Sequence, residues 1–162
     1  MGSSCPSKRQ IFDELRRVWV AATPEEVVRQ ALLQQMVKQL GYPKELLVVE
    51  REISQLPHLV GQKLPERRLD ILCFGREIHP QYPLYPLLLI ECKSDNLCMD
   101  AEEQLLGYNS FVGAYFIAMA AKDQVLFGYR TKQEKKGAGF TFLPYLPPHA
   151  QLLDFLKNVR TL

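Results

Sequence analysis

The chain has 162 residues, 47% hydrophobic and 23% charged, with a formal net charge of +2, a composition ordinary for a soluble globular domain. That length suits one domain, with residues 1–9 expected to be disordered. The weak charge neither demands nor excludes nucleic acid, so a local basic patch would have to carry such binding.

No apolar run approaches the ~18 residues of a membrane span. The start, Met1-Gly2-Ser3-Ser4-Cys5-Pro6, lacks a signal-peptide core, so a cytoplasmic protein without membrane contact is expected. Cys5, Cys73, Cys92 and Cys98 form no CxxC pair, which argues against structural zinc.

Ile11 to Ala22 mixes apolar and charged residues; Arg17 to Ala21 reads as a short edge strand after a helical turn. At Thr23 a helix begins: Thr23 fits the N-cap, Pro24 the first helical position and Glu26 the capping-box acid. Val27, Ala31, Met36, Val37 and Leu40 recur at helical spacing until Gly41, so residues 24–40 are predicted helical. Leu46–Ile53 reads as a strand, residues 54–66 as a connection, and Arg67–Phe74 as a second strand carrying one acid, Asp70, among apolar residues. After a proline-rich stretch comes the run Leu87–Ile90, expected of a central strand buried on both faces.

That run ends in Glu91-Cys92-Lys93, whose alternation puts Glu91 and Lys93 on one side and Cys92 on the other. Asp100–Phe111 follows as a helix, then Ala114–Ala120 as a second apolar strand paired with Gln124–Tyr129. Residues 131–139 read as a polar loop, Phe140–Leu146 as a last strand, and the segment after Pro147-Pro148 as a C-terminal helix. A helix between the third and fourth strands allows a crossover and hence a mixed sheet in one α/β domain.

An acid and a base at the end of a buried strand are expensive unless paired or used. If the strands of Asp70 and Glu91 are neighbours in register, two carboxylates and the Cys92 carbonyl make a hard-oxygen site suited to Mg²⁺ or Mn²⁺, with Lys93 beside it. The same residues also fit a plain ion pair between Lys93 and an acid, and Asp…Glu-x-Lys arises readily by chance. Gln104 and Tyr108 share a helix face; they suit contacts to a phosphate or carboxylate, or simply an amphipathic helix. Glu26 is explained by capping alone, although it can also serve as a third acid. Lys63, Arg67 and Arg68 form one basic cluster and Lys132, Lys135 and Lys136 another. Each fits phosphate binding or a solvated loop. His58, His79 and His149 show no ligand spacing.

With these residues in hand, the chain resembles the PD-(D/E)xK nuclease superfamily, and within it the N-terminal nuclease domain of type I restriction enzyme R subunits. The pieces that match are Thr23–Arg29, Leu40–Leu46, Arg67–Asp70, Pro86–Lys93 and Glu103–Asn109, in order across residues 11–130. The resemblance implies a restriction-endonuclease-like mixed sheet flanked by helices in α-β-β-β-α-β order. It implies divalent metal at Asp70 and Glu91, catalysis by Lys93, and support from Gln104 and Tyr108, with Glu26 as the acid of the first helix. Leu69 replaces the usual proline before Asp70. The chain also has no P-loop and no room for a DNA-translocating motor. A Mg²⁺-dependent DNA endonuclease or stand-alone nuclease domain is therefore expected, working alone or with a separate motor or specificity subunit, and with dimerisation open. The alternative is a non-catalytic DNA-binding or assembly module on the same fold.

Overall fold

The computed structural model describes residues 8–130 and 139–160, and the lysines at 132, 135 and 136 lie outside them, as do Cys5 and residues 1–7. The chain opens with a two-stranded ribbon, β1 (Gln10–Asp13) and β2 (Val18–Ala21), paired antiparallel and separate from the main sheet. The expected helical turn before β2 is a single α-turn that does not continue, closed by Arg17 N–H donating to the Asp13 carbonyl at 2.7 Å. The fully buried Asp13 carboxylate accepts from the Leu15 and Arg16 amides, both at 2.9 Å. That local demand for an acceptor is why the turn forms where periodicity is silent.

Helix α1 (Pro24–Lys38) starts as expected, with the Thr23 hydroxyl accepting from Glu26 N–H at 3.2 Å. The reciprocal half of the capping box is missing: Thr23 N–H bonds the Ala21 carbonyl, and the Glu26 side chain turns to Arg16, Arg29 and Gln30 instead. Gly41, at φ 70°, accepts the left-handed turn that ends the helical segment.

Six strands form the main sheet in sequence order: β3 (Leu47–Glu52), β4 (Arg68–Arg76), β5 (Leu84–Cys92), β6 (Phe116–Ala121), β7 (Gln124–Arg130) and β8 (Phe140–Leu143). All pairs are antiparallel except β5 and β6, which run parallel. Helix α2 (Met99–Val112) makes that crossover, ending at Gly113 with φ 71°. Helix α3 (His149–Arg160) closes the described chain.

Leu87 to Ile90 are each at most 1% exposed, and Phe116 to Ala120 at most 4%, so the apolar side chains of β5 and β6 are buried on both faces of the sheet. The mixed α/β sheet flanked by helices, with its helix, three strands, helix, strand core, is the architecture expected. The ribbon before it and β7, β8 and α3 after it extend that order. Among the described residues, no helix is long and apolar enough to cross a membrane.

Candidate functional site

The β4–β5 ladder pairs Ile71 with Ile90 and Leu72 with Leu89, so one step further along Asp70 faces Glu91 at the end of the sheet. Asp70 Oδ2 accepts from the Cys92 backbone N–H at 2.7 Å, while the Lys93 N–H continues to the Ala120 carbonyl at 2.8 Å. The backbone thus clamps the Asp70 carboxylate to the strand that carries Glu91 and Lys93.

Lys93 Nζ lies 3.2 Å from Glu91 Oε1 and donates to Gln104 Oε1 at 2.7 Å. Gln104 Nε2 donates in turn to the Tyr108 hydroxyl at 2.8 Å, and the Arg67 guanidinium sits over the Tyr108 ring, 5.2 Å from its centroid. One face of α2 therefore fixes the lysine that β5 presents. Of its three donors, two are engaged within the fold.

Burial pushes Glu91 up to about 7; repulsion from Asp70 adds to this, while Lys93 opposes it. Burial also raises Asp70, against the Cys92 amide and Arg29, which favour its charged form. Lys93 is raised overall: burial pulls it down, but the attraction of Glu91 outweighs that loss. Two carboxylates forced together so that one resists ionisation form a site whose charge a hard cation relieves. Asp70 and Glu91 are the residues that could hold a hard divalent cation, which binds through one or two carboxylates and leaves the rest of its shell to water and substrate. Among the described residues no group of three or more His, Cys, Asp or Glu converges on a metal-sized point.

Of the residues singled out from sequence, Asp70, Glu91, Cys92, Lys93, Gln104 and Tyr108 come together, with Arg67 at their margin. Arg68 instead pairs with Glu50 at 3.6 Å and Glu52 at 4.0 Å, and Lys63 is exposed in the connection before β4. Glu26 takes a different place from the one expected. Its carboxylate is bound by Arg16 at 3.2 Å, Gln30 at 2.8 Å and Arg29 at 3.1 Å.

Two residues given no role from the sequence also matter. Arg29, buried on α1, pairs with Glu26, Glu50 and Asp70. Glu50 falls between Val49 and Arg51, which pair with Ile71 and Leu69, so it stands opposite Asp70 on β3. β3 carries two acids, Glu50 and Glu52, and only the register says that Glu50 is the one that meets Asp70.

A mixed α/β domain with a carboxylate and lysine cluster at one end of its sheet is the class that these features define. The family model described as type I restriction enzyme R protein N terminus (HSDR_N) matches residues 24–147, and the chain belongs to that family. A fragment structure described as an HsdR subunit of a type I restriction enzyme from Vibrio vulnificus YJ016 aligns with a TM-score of 0.47 at 14% identity. That alignment covers 85% of this chain and 26% of the other, so the chain spans about a quarter of that fragment's length. No curated protein matches by sequence.

Proposed function

We propose that the protein is a metal-dependent DNA endonuclease domain of a restriction or DNA-processing system, cleaving phosphodiesters at Asp70, Glu91 and Lys93. The observation that carries this reading is Lys93, held between Glu91 at 3.2 Å and Gln104 at 2.7 Å beside the Asp70 carboxylate. Bound by Asp70, Glu91 and the Cys92 carbonyl, Mg²⁺ or Mn²⁺ would supply Lewis-acid polarisation of the phosphodiester and a more acidic water.

The chain's own residues do the rest. Lys93, fixed by two of its three donors, directs the third at the attacking water or at charge building on the phosphate. Gln104 and Tyr108 keep that ammonium from swinging into solvent. Arg67, seated on the Tyr108 ring, meets an adjacent phosphate, whereas Arg68 is already neutralised by Glu50 and Glu52. Such contacts read the backbone and not the bases, so choice of target falls to a partner such as a separate motor or specificity subunit.

Plasmid and single-stranded DNA incubated with Mg²⁺ or Mn²⁺ test the reading. Wild type is expected to cut, with Asp70→Ala and Lys93→Ala each slower by about 100-fold or more. No cutting with either metal, or equal cutting by the variants, refutes it. Because every acid of the site already has an internal partner, a non-catalytic DNA-binding or assembly module is the second reading. Calorimetry separates the two, since such a module binds no metal through Asp70.

A further inference from the structure

Arg29 is the one buried cation among the described residues, its side chain 5% exposed. Its guanidinium meets carboxylates from three elements: Glu26 on α1 at 3.1 Å, Glu50 on β3, and Asp70 on β4 at 3.3 Å. Its Nε is buried without an acceptor. Glu50 adopts φ 50°, a left-handed backbone that non-glycine residues rarely take, and it leaves the β3–β4 ladder at the step opposite Asp70. Buried ion clusters are often less stabilising than apolar packing of the same volume, and residues held in rare backbone conformations gather at functional sites. Neither Arg29 nor Glu50 belongs to the set that touches the proposed substrate.

What the cluster does is hold Asp70. Its Oδ1 accepts from Arg29 and its Oδ2 from the Cys92 amide at 2.7 Å. With one donor on each oxygen the carboxylate cannot rotate, yet each oxygen keeps a lone pair for another partner. Glu26 and Glu50 hold the guanidinium from the other side, so it cannot close fully over Asp70.

We propose that Arg29, braced by Glu26 and Glu50, is a positioning residue that sets the Asp70 carboxylate for divalent-cation binding. This rests on the reading of Asp70 as a metal ligand. Lysine cannot substitute, because a compact ammonium lacks the planar fork that spans three carboxylates.

Charge alone predicts the opposite sign: removing a cation beside an acid should tighten binding of Mn²⁺. Calorimetric titration of the whole chain with Mn²⁺, with circular dichroism as the check on folding, therefore decides the matter. Arg29→Gln and Arg29→Lys should each weaken Mn²⁺ binding tenfold or more. Glu50→Asp, at a side chain 25% exposed, keeps the charge but shortens the brace; it should weaken Mn²⁺ binding severalfold where charge alone predicts no change, and supplies the result if the Arg29 variants do not fold. The Mg²⁺ concentration for half-maximal cleavage should rise in parallel. Unchanged or tighter Mn²⁺ binding in the folded variants overturns the positioning role alone. Wild type that binds no Mn²⁺ overturns the metal site and this role with it.

Discussion

Replacing Glu91 with glutamine should make the metal-free protein more stable at pH 8 while leaving it nearly unchanged at pH 4. Glu91 is 7% exposed, and burial beside Asp70 lifts its carboxyl from 4.5 to about 7. Between those two values the folded chain keeps a proton that the unfolded chain has lost, so stability falls as pH rises through that window. At about 1.4 kcal/mol per tenfold change in proton affinity, ionised Glu91 costs the folded state about 3 kcal/mol above pH 7. Glutamine keeps the shape without the charge and escapes that cost, which for a chain of this length raises the melting temperature by about 6 °C or more.

The assay is a set of thermal melts in EDTA from pH 4 to 8.5 on both proteins. Their difference isolates Glu91 from His58 and His149, whose pKa values burial lowers and which therefore favour the folded state as pH rises. Excess Mg²⁺ should nearly close the gap at pH 8, since a cation that binds the ionised pair at a hundred times its dissociation constant contributes about 2.7 kcal/mol to wild type. Parallel pH profiles for the two proteins, or a wild type no less stable than the variant at pH 8, would refute the argument.

Gln104→Ala removes the charge-assisted bond to Lys93 and should lower kcat by about 10- to 100-fold, the equivalent of about 1.5–3 kcal/mol, with little effect on DNA affinity in gel-shift titrations. Arg67→Ala should weaken DNA binding and flatten its log–log salt dependence by about 0.9, whereas Arg68→Ala, already paired with Glu50 and Glu52, should change the slope far less. Leu89→Ala, at a side chain 1% exposed in the central strand, should destabilise by about 2–5 kcal/mol in urea melts.

Much of this architecture follows from local pattern. The N-cap at Thr23, the stop at Gly41, the apolar runs of β5 and β6, and the connection through α2 are properties of short stretches, and each forms within a few residues of where the sequence puts it. The β1–β2 ribbon was half visible, because its turn depends on one buried carboxylate, Asp13, and not on periodicity. Likewise Glu91 and Lys93 share a side by strand alternation, and Gln104 and Tyr108 share one by helical spacing, so half of the site is written in i, i+2 and i, i+4 relations.

The other half is not local. Asp70 meets Cys92 across 22 positions and Arg29 across 41, and Glu50 faces Asp70 only because β3 and β4 pair in one register. The sequence by itself determined which segments are strands and helices and which acids and bases stand at their ends, since burial and hydrogen bonding along a single segment select them. Tertiary structure alone decided where Glu26 goes. Arg16 and Gln30 hold its carboxylate, and Arg29 ties it to Asp70, because a carboxylate buried at the first turn of a helix needs donors that only the folded chain brings to it.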